Sequence, residues 1–342
     1  MTPVHVVLGI DIGGTTTSFA LVDRGGKCLV QEVIPTRAEE PASHLVSRIC
    51  DWFREAFPPF SESYALRGIG VGAPNANYYT GTVENPPNLK WGQSVNLAGL
   101  FRDCFALPVS ITNDANAAAI GEMEFGAAQE MRHFIVITLG TGVGSGIVVN
   151  GELLYGADGF AGEIGHTVVD PQGRRCACGK RGCLEAYASA AGLCRTAITL
   201  LADQVEESEL RRFSIRDLTA RDVFEAAQRG DAIARDAFRE TGRILGMKLA
   251  DAVAFTSPEA IFLFGGLAAA GELLFEPTRR SLEAHLLNIY RGRVRLLPSG
   301  LREANAAVLG AAALIWRELE TGGRRRNFDT GSTGDPHGKH GS

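Results

Sequence analysis

Several things are missing from this 342-residue chain, and each absence narrows the reading. No apolar stretch approaches the ~18 residues that a membrane-spanning helix needs. The opening Met1-Thr2-Pro3-Val4-His5 lacks the charged and apolar regions of a signal peptide, so a cytoplasmic protein is expected. No long basic run occurs before residue 320 and the net charge is −5, which argues against nucleic acid as the main partner. No G-x-x-x-x-G-K-[ST] is present, which excludes a P-loop enzyme. The stretch Gly140-Thr141-Gly142-Val143-Gly144-Ser145-Gly146 looks like a dinucleotide fingerprint, yet it misses the G-x-G-x-x-G spacing, and a strand rather than a helix is expected after it.

The length allows two domains with a large core. Residues 4–10, 18–22 and 28–34 read as three antiparallel strands joined by Asp11-Ile12-Gly13-Gly14-Thr15-Thr16 and Asp23-Arg24-Gly25-Gly26. A helix is expected over 41–57, a buried strand over 68–73 and a helix over 97–105. Residues 74–91, rich in Gly, Pro and Asn, read as a loop with little regular structure. A loop that long is usually functional. A second cycle begins at Phe134: strand 134–139, a Gly/Thr turn, then a returning strand 146–149. This repeats the opening, so an internal duplication is inferred. Helices are expected over 184–201, 220–228, 232–255, 275–286 and 305–320, with strands at 260–264 and 294–297. The tail from 320 has almost no apolar content and reads as disordered.

Asn113-Asp114 follows the apolar run 107–111 and opens a run of good helix formers. A carboxylate and a carboxamide thus stand where a strand ends and a helix begins, the edge where α/β proteins bind ligands. The plainer reading is a helix cap. Asp11, Gly13, Gly14, Thr15 and Thr16 form a turn whose N–H groups could cradle phosphate oxygens, with Asp11 near Mg²⁺; an ordinary hairpin turn is the alternative. Thr141, Gly142 and Gly144 repeat that pattern in the second half. Two such turns fit a nucleotide clamped between domains, with Gly265 and Gly266 as a third wall beside the adenosine.

Of seven cysteines, Cys28, Cys50, Cys104 and Cys194 are scattered, as buried free thiols usually are. Cys176, Cys178 and Cys183 are bunched, and with His166 they spell H-x9-C-x-C-x4-C. Tetrahedral Zn²⁺ takes such a set, and four protein ligands close its shell, so the metal is expected to be structural. A reduced thiol cluster or a disulfide is the alternative. Glu163 and Glu185 flank this loop. They read either as groups held near the metal to meet polyol hydroxyls or as solvated surface glutamates.

With these residues in place, the chain resembles the ROK family (repressors, open reading frames, kinases) over roughly residues 4–318. The resemblance rests on Asp11–Thr16, Thr112–Asn116, 139–144, Gly162-Glu163-Ile164-Gly165-His166, and Cys176-Ala177-Cys178-Gly179 with Gly182-Cys183-Leu184-Glu185. It implies an α/β protein with the actin-like (ribonuclease H-like) duplicated two-domain fold of sugar kinases and an interdomain cleft. The small domain would comprise 1–112 with 305–319, and the larger 113–304 with the zinc loop 162–185. The resemblance also implies Asp114 as general base and a hexose held by Asn88, Asn113, Asp114, Glu163, His166 and Glu185. The implied reaction is ATP-dependent phosphorylation of a hexose at its 6-hydroxyl, glucose first, with fructose, mannose, allose or an N-acetylhexosamine as alternatives. A non-catalytic sugar-sensing regulator is the rival. The family's repressors carry an N-terminal winged helix-turn-helix, for which a first strand at residue 4 leaves no room. Members are commonly homodimers or homotetramers. One departure is visible: Asn75 stands where the family commonly has Gly, so it supplies either a positive φ or a polar contact to the sugar.

Overall fold

The computed structural model describes residues 3–58, 62–301 and 306–322. The expected tail therefore falls almost wholly outside the described residues. Strand β1 (Val4–Ile12) pairs antiparallel with β2 (Thr16–Asp23), and β2 with β3 (Cys28–Pro35). On its other side β1 pairs parallel with β4 (Tyr64–Gly72), and β4 with β7 (Val109–Thr112). Alternation along β1 divides the two faces. Val6, Leu8, Ile10 and Ile12 enter a core with α1 (Ala42–Ala56) and α2 (Leu97–Phe105), while Val7 meets α9 (Ala306–Glu320). Gly9 and Gly70 leave no room for a Cβ against α9, so helix and sheet sit in close contact.

The second sheet repeats the first. Strand β8 (Phe134–Leu139) pairs antiparallel with β9 (Val143–Val149), which pairs with β10 (Glu152–Leu153). β8 also pairs parallel with β11 (Ala260–Phe264), and β11 with β12 (Arg295–Pro298). The orders β3-β2-β1-β4-β7 and β10-β9-β8-β11-β12 are the same arrangement, in line with the inferred duplication. Ile135, Ile137 and Leu139 pack under a helical layer that includes α5 (Ala190–Asp203), α6 (Ala220–Arg229), α7 (Ala232–Thr256) and α8 (Glu272–His285). Phe134 and Val136 face α3 (Asp114–Phe125), which crosses α9 where Gly310 lies on the Ala117 carbonyl. The α3–α9 crossing thus joins the two sheets. No helix among the described residues is long and apolar enough to cross a membrane.

Two expectations are corrected. The helix over 184–201 is two: α4 (Glu185–Ala188), then α5, broken at Ser189. Ser189 is extended, with ψ 170°, and its Oγ accepts from Gly192 N at 3.1 Å as the N-cap of α5. Cys50 and Cys104, read as free thiols, form a disulfide with Cα atoms 6.6 Å apart. They lie on α1 and α2, which pack side by side on one sheet face, a proximity that the 54-residue separation hides. The 74–91 loop has little regular structure, as read: its one strand among the described residues, β5 (Val83–Glu84), pairs with β6 (Ser94–Val95) just beyond it.

Candidate functional site

The carboxyl ends of β1, β4, β7 and β8 open onto a cleft of about 410 Å³ between the two sheets. Most of the candidate residues line it: Asp11, Gly13, Gly14, Asn75, Asn88, Asn113, Asp114, Thr141, Gly142, Gly144, Glu163, His166, Glu185 and Gly265. Thr15, Thr16 and Gly266 are not in its lining; Thr15 and Thr16 are exposed, and Thr16 O instead accepts from Gly13 N at 3.0 Å to close the turn. A larger hollow of about 660 Å³ lies at another edge of the first sheet, beside Arg24 and Trp316. Its carboxylates are already committed, Glu320 to Arg24 and Asp23 to the Gly25 and Lys27 N–H groups, so it offers no free acid or base of that kind.

Asn113 is the N-cap of α3: its Oδ1 accepts from Asn116 N at 2.7 Å. Asp114 is the first helical residue. Its Oδ1 accepts from Ala115 N at 2.9 Å, and solvent reaches its side chain through the cleft. Protein packed on the remaining sides raises the Asp114 pKa, partly offset by that backbone N–H. Asp11, at the end of β1, is pushed up from its usual 3.8 to about 7, first by burial and then by the charge of Asp114. Glu163 is also raised: desolvation and the Asp114 and Glu185 charges outweigh the opposing pull of His166.

Asn75 has φ 52°, so the backbone at this position does adopt the left-handed conformation that its departure from Gly suggested. Its Nδ2 donates to Glu84 O and Asn85 O, both at 3.0 Å, so that nitrogen serves its own loop. Gly14 packs against the long loop, where a Cβ would lie 2.9 Å from Asn88 Cβ. Gly265, at φ 100°, passes so close to β8 that a Cβ would lie 2.7 Å from Leu139 O. At Gly140 and Gly266 a Cβ would meet nothing within 4 Å.

The loop after β10 brings four ligand atoms together. Those of His166, Cys176, Cys178 and Cys183 all lie within 4.8 Å of one another. Cys178 Sγ and Cys183 Sγ are 3.7 Å apart, as are Cys176 Sγ and His166 Nδ1. A knuckle makes this possible: Gly179, at φ 91°, donates to Cys176 O, and Cys176 N donates to Lys180 O. Glu185 joins the cluster to the second Gly/Thr turn. Its Oε1 accepts from the Cys176 thiol at 3.5 Å and its Oε2 from Val143 N at 3.1 Å. Glu185 therefore touches the turn assigned to nucleotide as well as the loop assigned to sugar.

Sequence reasoning missed Thr138 and Ser145 in the lining. Thr138 Oγ1 accepts from Gly144 N at 3.1 Å and braces the turn. Ser145 Oγ donates to Gly162 O and accepts from Ile164 N, which ties the turn to the Glu163 segment. The signal for Thr138 was a lone polar residue in the apolar strand Phe134-Ile135-Val136-Ile137-Thr138-Leu139. Ser145 offered only its place inside the glycine-rich motif.

Two copies of one five-stranded unit that face each other across an acid-lined cleft define a duplicated α/β protein of the actin-like class. The model of the ROK family matches residues 7–318, and the chain belongs to that family. It is 37% identical over 284 residues to a glucokinase of Halalkalibacterium halodurans, covering 82% of this chain and 86% of that protein. It is 31% identical over 320 residues to a putative xylose repressor of a Caldicellulosiruptor species, covering 92% and 79%. Among solved structures, a ROK family glucokinase from Streptomyces griseus in complex with glucose and AMPPNP superposes with a TM-score of 0.76 at 36% identity, covering 90% of this chain and 98% of that one.

Proposed function

We propose that the protein transfers the γ-phosphoryl group of ATP to the 6-hydroxyl of a hexose, glucose before the alternatives. The observation that carries this reading is Asp114, a carboxylate relieved of capping duty that opens into the cleft between the two Gly/Thr turns. A sugar hydroxyl is a poor nucleophile near neutral pH, and a positioned carboxylate takes its proton as the bond to phosphorus forms. In this reading Asn88, Asn113, Glu163, His166 and Glu185 hold the hexose. The backbone N–H groups of Gly14, Thr141 and Gly142 meet the phosphates in this reading and stabilise charge that builds on their oxygens, while those of Gly13, Gly140, Val143 and Gly144 are used inside the protein to hold the turns. The likeness to the Streptomyces griseus glucokinase supports both ligands.

Asp11 suits Mg²⁺: it is a carboxylate at the end of β1 that lines the cleft beside Asp114, and burial first and the Asp114 charge second raise its pKa. A bound Mg²⁺ supplies positive charge to the phosphates. The His166, Cys176, Cys178 and Cys183 set suits structural zinc. With Zn–S bonds of ~2.3 Å, a tetrahedron has S–S edges of ~3.8 Å, close to the 3.7 Å between Cys178 and Cys183. Here zinc holds the loop whose residues Glu163 and His166 line the cleft.

A coupled assay with ATP and a panel of hexoses tests the proposal. Turnover of glucose above the other sugars is the expected result. The likeness to the xylose repressor favours a second reading, a sugar-sensing regulator, which would bind sugar without turnover.

A further inference from the structure

The Glu163 carboxylate feels its charged neighbours, but no hydrogen bond holds it among the described residues. Its place depends on the backbone that carries it. That backbone is a strap, residues 156–162, in which Gly156, Gly159 and Gly162 have φ of 75°, 90° and 99°. A segment with three left-handed glycines has little stiffness of its own. Three donors pin its carbonyls. Ser145 Oγ donates to Gly162 O, Tyr79 Oη to Gly156 O at 3.0 Å, and Asn77 Nδ2 to Asp158 O at 2.8 Å. Two of the three come from the long loop between β4 and α2, which belongs with the first sheet, whereas the strap follows β10 of the second; here the two halves are in direct contact, with Tyr78 stacked on Tyr155.

Asn77 is 3% exposed, and both ends of its carboxamide are in use. Its Oδ1 accepts from Tyr79 N and Thr80 N at 3.0 and 3.3 Å, which is ordinary turn chemistry for Asn. Its Nδ2 also lies 3.4 Å from Glu84 Oε1. The bond to Asp158, 81 residues away in sequence, does nothing for the turn. The approach is close because position 159 is glycine: a Cβ there would lie 2.6 Å from Asn77 Oδ1. We propose that Asn77, seconded by Tyr79, is a positioning residue for the hexose site: it fixes the strap of the second sheet from the long loop of the first and so sets where Glu163 meets the sugar. The inference rests on the sugar role given to Glu163 above.

Two substitutions in the full-length protein test it. Asn77→Asp keeps the acceptor for Tyr79 and Thr80 N–H but cannot donate to Asp158 O. Tyr79→Phe removes only a hydroxyl from a side chain that is 43% exposed, so the fold should tolerate it. Each should raise KM for glucose by roughly three- to tenfold, the worth of one positioning hydrogen bond. The double variant should exceed either single one, while KM for ATP stays within about twofold. Calorimetric titration with glucose should report the same loss without any turnover. Equal rises in both KM values, or an unchanged glucose KM in folded Tyr79→Phe and Asn77→Asp, would overturn the inference. Failure of the kinase reading would appear separately, as wild-type protein that phosphorylates no hexose.

Discussion

Asn113 and Asp114 divide between them the two tasks that a strand–helix junction can set. Asn113 Oδ1 caps α3 through Asn116 N at 2.7 Å, while Asp114 lines the cleft and its carboxylate takes the neighbouring Ala115 N–H and its own. The cap and the proposed base are different residues, so they can be tested apart.

Asp114→Asn keeps the side chain's size and its acceptor for Ala115 N, but it cannot take a proton. The variant should fold with near-native Tm, bind glucose and ATP, and turn over about 10²–10⁴-fold more slowly. Asn113→Ala should instead cost about 1 kcal/mol of stability through loss of the cap. Near-normal kcat in folded Asp114→Asn protein would sink the proposed mechanism.

Asp11 couples the site to stability. Its carboxyl titrates at about 7 in the folded chain against a usual 3.8. Between those values the folded state holds a proton that the unfolded state has released, so this group's contribution falls as pH rises through the window. Asp11→Asn should therefore raise Tm of the ligand-free protein at pH 8, with little change at pH 4. It should also weaken Mg²⁺-dependent ATP binding. Thermal scans across pH check the first effect and calorimetry the second; a lower Tm at pH 8 would contradict the argument.

Nucleotide contact with the second turn is best probed at Gly140, where an added Cβ meets no protein atom within 4 Å. Gly140→Val should leave the fold intact and weaken ATP binding by at least about tenfold, the worth of one or two charge-assisted hydrogen bonds. Gly14→Val is a less clean test, because its side chain also presses on Asn88. It should disturb glucose and ATP together. Unchanged ATP affinity in Gly140→Val would remove this turn from the nucleotide site.

Zinc should be present at one per chain in protein purified without added metal. Cys178 is exposed, so Cys178→Ser leaves no core cavity. It should nonetheless lose zinc and activity together, because the loop carries His166 and runs into Glu185. Elemental analysis and the hexose assay on one preparation check this. Freshly reduced, active protein without zinc would reject the site.

Much of this protein was legible in the chain. Short apolar runs with Gly/Thr turns gave most strands of both sheets: 134–139 and 260–264 were read with their observed bounds, whereas β4 and β9 begin four and three residues earlier than read and β10 was not read. Strong local signals of this kind need no partner to be recognised. The cleft residues were legible for a related reason, since glycines, thiols and acids at tight spacing have few structural uses. What stayed hidden depends on contacts between distant segments. The Cys50–Cys104 disulfide needs α1 beside α2. The break at Ser189 is a local exception: its hydroxyl accepts from Gly192 N, and Gly192 passes so close to Tyr187 that a Cβ would lie 2.6 Å from the Tyr187 carbonyl oxygen.

Composition, periodicity and motif spacing by themselves determined that this is a duplicated α/β protein with a Cys/His cluster and an acid at a strand–helix edge. Those properties are local, carried by neighbours in the chain. Only the tertiary structure decided that Asn113 rather than Asp114 caps the helix, that Glu185 bridges the Cys/His loop and the second turn, and that Asn77 reaches Asp158 in the other half of the molecule. A hydrogen bond forms only over about 3 Å and in the right direction. Which donors come that close across 81 residues is fixed by how two sheets pack on α3 and α9, and no local pattern encodes it.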